Sequence, residues 1–196
     1  IETGGFYMNE NSVIAAEDRR QDIFEKTDTE LLNGIFTRGS IRKYRCGEID
    51  EKALRTMIYA GMCAPSARNI RPYHIVVFTG KAKDLLAEGS RQPEMMKSAG
   101  AVICVCGDVE KNSVIKFLTE DCAAVTENIL LACHALGYGA VWCGVTEGTE
   151  WYKALKKAVG APDNICPMTS ITIGVPDETK AHGSRYEQEK IHFNKW

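Results

Sequence analysis

Ala101-Val102-Ile103-Cys104-Val105-Cys106 is apolar at every position, whichever face of a strand it occupies. Successive side chains of a strand point to opposite faces, so an unbroken apolar run buries both. Such a strand belongs at the centre of a sheet that is covered on both sides. The chain also carries a helix suited to that burial. From Phe117 to Leu136, the apolar residues Ala123, Ala124, Ile129, Leu130, Leu131, Ala132, Ala135 and Leu136 spread around much of the circumference. This pattern predicts a helix buried on most sides, at the centre of a domain or at a subunit interface.

The remaining elements follow from periodicity and punctuation. Leu31, Leu32, Ile35 and Phe36 keep helical spacing within Asp28 to Phe36. Asp50 is placed to cap a second helix, with Leu54, Met57, Ile58 and Gly61 on its buried side. Strands are predicted at His74 to Thr79, Ala140 to Cys143 and Met168 to Val175, and helices at Ala82 to Ala87 and Trp151 to Val159. Gly137-Tyr138-Gly139 ends the long helix, because glycine takes the left-handed conformation readily. The polar stretch Ser90 to Ser98, broken by Pro93, reads either as a lid or as a surface excursion. Helices and strands mix without strict βαβ alternation, so the class is α+β in three layers. With no repeat or linker to divide the chain, residues 28–196 are expected to form one domain. An N-terminal arm over 1–27 precedes it, and a C-terminal arm over 177–196 ends in Ile191, His192, Phe193 and Trp196. That aromatic tip is expected to pack on something, a second subunit among the options.

Composition narrows the function classes. A formal charge of −2 argues against a nucleic-acid binder. No apolar run is long enough to span a membrane, and Ile1 to Asn11 lacks a signal-peptide pattern. Ile1 is not an initiator residue, and Met8 is a candidate native start. The eight cysteines show no C-x-x-C and no zinc-type His/Cys spacing, so buried, reduced thiols in a cytoplasmic protein are expected.

The usual catalytic constellations are missing. His74, His134, His182 and His192 have no ligand partner at i+3 or i+4, and neither a nucleophile elbow nor a P-loop occurs. Gly137 to Trp142 breaks the dinucleotide-binding pattern at its last position. A chain without an acid/base set can still work when a cofactor carries the chemistry. Two segments could hold one. Arg38, Ser40 and Arg42 place two guanidinium groups and a hydroxyl on one side of an extended segment, and Arg185 could join them. The local cluster Arg38, Arg42, Lys43 and Arg45 suits one phosphate, although a solvated turn would look similar. Ala64 to Tyr73, with prolines at 65 and 72, reads as a rigid, extended loop that is either a cofactor loop or a plain helix-to-strand connector.

These segments resemble the nitroreductase family of flavoproteins. Thr37 to Tyr44 is similar to its R-R-S-x-R-x-[FY] opening, and Ala64 to Tyr73 to its A-P-S-[SA]-x-N-x-Q-P-W loop. The long helix running into Leu136 to Gly144 resembles its central helix and following strand. Ile173 to Pro176, Arg185-Tyr186 and Lys190 to Trp196 resemble the tail of its compact members. The resemblance implies a three-layer α/β/α sandwich with a mixed, mainly antiparallel sheet, dimerising through the long helix with two FMN molecules at the interface. Arg38, Ser40, Arg42 and Arg185 would hold the phosphate and ribityl chain. Pro65, Ser66, Ala67 and Asn69 would reach the ring from the partner subunit, and Cys143 and Gly144 would lie along it. The implied activity is hydride transfer from NADH or NADPH through flavin N5 to an acceptor such as a nitroaromatic or quinone, with no side chain as nucleophile or base. Three departures stand out: Gly39 where a second arginine is frequent, Arg71 for a common glutamine and Tyr73 for a common tryptophan. Arg71 then either tunes the flavin or faces solvent. Two alternatives stay open: a specialised branch (dehalogenation, flavin destruction or dehydrogenation), and a non-catalytic flavin- or partner-binding module.

Overall fold

The computed structural model describes residues 30–181 and 185–196; the arm expected over 1–27 and His182 lie outside them. The chain divides into two units between Thr37 and Arg38. In the first, helix α1 (Glu30–Thr37) carries exposed Leu31, Ile35 and Phe36 at the expected helical spacing.

The second unit runs β1 (Tyr44–Arg45), α2 (Glu51–Met62), a 3-10 turn (Ala67–Asn69), β2 (Tyr73–Thr79), α3 (Gly80–Ala87), α4 (Pro93–Ser98), β3 (Ala101–Asp108), α5 (Ile115–Ala135), β4 (Gly139–Gly144), α6 (Glu150–Val159), β5 (Ile165–Pro176) and a final 3-10 turn (Gln188–Lys190). β3 lies between β2 and β5, and β4 and β1 also pair with β5. All these ladders are antiparallel, and the one parallel element among the described residues is a bridge between Ser40 and Ala140.

All eight residues of β3 are buried, as the apolar run requires. Ile103 and Val105 join Met57, Leu118, Val125 and Ile129 in a core against α2 and α5. Val102, Cys104 and Cys106 join Leu86, Met96 and Leu155 in a second core against α3, α4 and α6. Each fully buried aliphatic side chain contributes about 1.5–3 kcal/mol of transfer free energy. The α/β/α layering thus follows from one strand with no polar face. α2 starts as expected: Asp50 accepts the Ala53 N–H at 2.9 Å, which satisfies one of the orphan donors of the first turn. Gly137, at φ 79°, closes the end of α5 as predicted.

Three expectations are corrected. β5 is longer than Met168 to Val175 and includes Pro167, which the ladder tolerates because the register shifts there. Val105 faces Thr169 while Cys106 faces Pro167, leaving Met168 as the extra residue of a bulge. α5 is buried on one face, through Leu118, Cys122, Val125, Ile129, Leu130 and Cys133. Ala123, Ala124, Leu131 and Ala132 stay half-buried, and Ile115 and Phe117 are exposed. The segment Ser90 to Ser98 is not merely an excursion, since its second half is α4 and Met96 enters the core. Buried Lys83 pins it by donating to the Met96 and Lys97 carbonyls at 2.9 and 2.8 Å, with Asp84 as its counter-ion at 2.9 Å.

All eight cysteines are free, but Cys46 and Cys63 are exposed rather than buried, because they follow β1 and α2 into surface turns. Cys104, Cys106, Cys122 and Cys133 are buried. Burial pushes the Cys122 and Cys133 thiols up to about 12. In the native protein a thiol-specific alkylating reagent near pH 8 should modify Cys46 and Cys63 and spare these four until unfolding, as read by mass spectrometry. Unfolding returns the two thiols to their ordinary value of 9.0. Their neutral forms therefore stabilise the fold fully below about pH 9, and that contribution fades toward pH 12, visible as a falling Tm.

Candidate functional site

The segment 38–44 is irregular until β1, and three sets of contacts hold it. The Ile41 N–H donates to the Ala140 carbonyl at 3.0 Å, fastening the segment to β4. The Tyr44 hydroxyl donates in a forked bond to the carbonyls of Ile41 at 2.5 Å and Thr172 at 3.1 Å. Burial drives the Tyr44 pKa far above the ordinary phenol range, so this hydroxyl remains a donor. Tyr44 reaches β5 because position 174 is glycine: a Cβ there would lie 2.8 Å from the ring. Glu178 makes the third set, accepting the N–H groups of Arg42 and Lys43 at 2.6 and 3.2 Å.

The structure joins part of the predicted arginine cluster, Arg185 with Arg38, and places Arg42 separately in a cavity lining. Arg185 donates from Nη2 to the Arg38 carbonyl at 2.9 Å, joining residues 147 apart in sequence. The Arg38 guanidinium pairs with Glu127 of α5 at 3.2 Å. Ser40 lies beside β4 through its bridge to Ala140, and Gly39 is half-buried between the two. Arg42 enters a cavity of about 1160 Å³. Val141, Trp142, Cys143 and Gly144 of β4 line one part of it, residues 88–92 with Met95 and Met96 another, and the first turns of α6 with Trp151 a third. Cys143 is half-buried, its thiol within 3.4 Å of Thr172 Oγ1, and burial pushes its pKa up. Gly144 is open, with no atom within 4 Å of where a Cβ would stand. Sequence reasoning had marked Ser90 to Ser98 as lid-like, but not Ser90, Arg91, Gln92 and Met95 as lining shared with Arg42 and Cys143. Glu178 was missed altogether, since nothing local marks a lone glutamate as a tether.

The loop from Ala64 to Tyr73 contributes nothing to the lining of this cavity. It is not extended, as its two prolines suggested; it winds into the 3-10 turn. Arg68, Asn69 and Arg71 adopt left-handed backbone angles with φ of 53°, 55° and 50°. Non-glycine residues there cost on the order of 1 kcal/mol each and persist only when their surroundings over-determine them. Polar side chains of the loop supply that determination. Ser66 Oγ accepts the Arg71 N–H at 2.9 Å, and Asn69 Oδ1 accepts from Arg71 Nε at 3.1 Å. Such local side-chain acceptors compete with extended backbone. Pro65, Asn69 and Arg71 are exposed, with Ser66 and Ala67 half-buried. A buried carboxylate, Asp121 of α5, accepts the Ala67 N–H at 2.7 Å and ties the loop to the helix. Its other oxygen is buried without a partner.

Gly174→Ala should lower thermal stability by about 1–3 kcal/mol by forcing Tyr44 off β5, measured by calorimetry. Asp121→Ala leaves the Ala67 N–H without its acceptor and should speed amide exchange selectively over residues 65–71, measured by hydrogen-exchange mass spectrometry.

The nitroreductase family pattern matches residues 35–93 and 87–175. A protein of Archaeoglobus fulgidus, provisionally named an NADH dehydrogenase/NAD(P)H nitroreductase, is 36% identical over 172 residues, covering 85% of this chain and 99% of its own. A crystal structure from Parabacteroides distasonis with the same provisional name superposes with a TM-score of 0.80 at 35% identity, over 86% of this chain and 100% of the other. A nitroreductase from Desulfovibrio desulfuricans, also provisionally named and solved in complex with FMN, gives 0.75 at 27% identity, over 87% and 99%. With the family pattern matched over most of its length and a relative 36% identical, the chain belongs to the nitroreductase family.

Proposed function

We propose that the protein is an FMN-dependent oxidoreductase that passes a hydride from NADH or NADPH to a small electron acceptor such as a nitroaromatic or a quinone. Membership of the family makes it an NAD(P)H-dependent oxidoreductase. FMN and the acceptor are the finer reading. One observation carries it: Arg42 shares a cavity lining with Val141 to Gly144 of β4, while the same segment sets Ser40 beside β4 and its Arg38 carbonyl binds Arg185. The donor set fits the group. Guanidinium forks match phosphate oxygens through charge-assisted bonds, a hydroxyl suits a polyol chain, and the open backbone at Gly144 allows a flat ring to approach. When bound, FMN would accept the hydride and hand it on. The protein's own residues would bind and orient: Arg38, Arg42 and Arg185 at the phosphate end, Cys143 and Gly144 along the ring. A glycine at 39 leaves the anion to these three cations. No side chain need exchange a proton at a reacting atom.

A homodimer is part of the proposal. The half-buried face of α5 at Ala123, Ala124, Leu131 and Ala132 is continuous in type with exposed Ile115 and Phe117. Exposed Tyr59 and Met62 of α2, and Phe193 and Trp196 of the tail, add large apolar surface that suits a second copy. Pro65, Ser66, Ala67 and Asn69 would then act on the partner's ring, which accounts for their absence from the cavity of their own chain. Arg71, held by Asn69, would present its guanidinium beside them. No helix among the described residues is long and apolar enough to cross a membrane; a cytoplasmic setting is part of the same reading.

The deciding experiment is an anaerobic spectral titration of FMN-loaded protein with NADH and, separately, NADPH. Bleaching of the flavin's visible band, followed by reoxidation on adding a nitroaromatic or quinone, is the expected result. Bound flavin that neither nucleotide reduces points to the specialised branch. Colourless protein that ignores added FMN defeats the flavin reading.

A further inference from the structure

We propose that Glu178, which lies outside the cavity, is the positioning residue that sets Arg42 for its anionic ligand. The inference rests on the FMN reading of the site. Arg42 sits between two fixed points, the Ile41 N–H on Ala140 and the Tyr44 hydroxyl on Thr172. Neither fixed point satisfies the amides of Arg42 and Lys43. Both amides donate to a single oxygen, Glu178 Oε1, at 2.6 and 3.2 Å, from a residue 136 positions away. The Asp177 N–H donates to the Lys43 carbonyl at 2.9 Å and closes the clasp. Lys180 Nζ holds the other carboxylate oxygen at 2.9 Å.

Successive backbone N–H groups converging on one point form a nest that selects an anion. Here the chain fills its own nest. Two consequences follow for a phosphate arriving beside Arg38, Ser40 and Arg42. It cannot use these amides, so side chains must hold it. The backbone under Arg42 is also fixed before binding, so less ordering is lost when the guanidinium engages. The Arg42 amide, with Lys180 and the Lys43 amide, holds the Glu178 carboxyl at about 2, so the clasp keeps its charge throughout the neutral range.

A carboxylate that instead competed with the phosphate for Arg42 would give the opposite outcome. The experiment separates the two. FMN affinity is measured by flavin fluorescence for wild type, Glu178→Ala, Glu178→Gln, Lys180→Ala and Arg42→Ala. Amide exchange at residues 41–44 and the Tm are followed in the same proteins without flavin. Positioning predicts that Glu178→Ala loses protection at Arg42 and Lys43 and weakens FMN about tenfold, with Tm nearly unchanged. Glu178→Gln keeps an acceptor oxygen and should fall between it and wild type. Lys180→Ala should stay within about twofold of wild type, since an exposed pair contributes little. Tighter FMN binding in Glu178→Ala, or unchanged affinity despite lost protection, overturns the proposal, as does unchanged protection. A wild type and Arg42→Ala that both fail to bind FMN defeat the flavin reading, and this role with it. In that case the exchange data still show whether the tether exists, so the two failures remain distinct.

Discussion

The burial of β3 on both faces is the constraint from which the rest of the molecule follows. A strand with no polar side requires helices above and below it, and the two cores on either side of Ile103 and Cys104 are that requirement met. Once α5 lies across one face and α6 across the other, β4 is left on the far side of β5, with its Cys143-Gly144 end between the layers. A cavity lies there, lined by β4, residues 88–92 and the start of α6. The chain fastens its cationic segment to the other end of β4, at Ala140, and from there Arg42 joins the cavity lining.

That placement depends on contacts between parts of the chain remote in sequence. Thr172, Glu178 and Arg185 each hold the 38–44 segment: Thr172 by its carbonyl to the Tyr44 hydroxyl, Glu178 by accepting the Arg42 N–H, and Arg185 by donating to the Arg38 carbonyl. This anchoring leaves the Arg42 guanidinium at the cavity, while Arg38 pairs with Glu127 and Arg185 spends one guanidinium donor on the Arg38 carbonyl. The 64–73 loop follows the same logic on another part of the molecule. Its left-handed residues are held by Ser66, Asn69 and Asp121, so its exposed tip has a fixed shape without being part of its own chain's cavity.

Much of this was legible in the chain itself. Periodicity located the helices and strands of the sheet layers apart from β1 and α4, usually within a few residues, because burial on one or two faces leaves a pattern that local sequence must carry. The apolar run at 101–106 declared the central strand, Asp50 the cap of α2 and Gly137 the end of α5. Spacing alone suggested one side for Arg38, Ser40 and Arg42, whereas the irregular segment sets Arg38 on Glu127 of α5 and Arg42 in the cavity lining; family resemblance supplied the order of the segments. The loop conformation was misread, since prolines at 65 and 72 constrain only their own neighbourhoods, while serine and asparagine acceptors decided the turn between them. Exposure of Cys46 and Cys63 was likewise a matter of where turns fall, not of residue type.

Sequence by itself thus determined the layers, the candidate ligand groups and the family, because each rests on short-range pattern or on motifs in register. Only the tertiary structure decided which of those groups meet. It brought Arg185 to Arg38, put residues 88–92 into one cavity lining with Cys143, kept the 64–73 loop out of the same cavity and gave the Arg42 amide to Glu178. Hydrogen bonds of this kind act over about 3 Å between residues more than a hundred positions apart. No local periodicity records them, so they exist only once the sheet has fixed where its strands end.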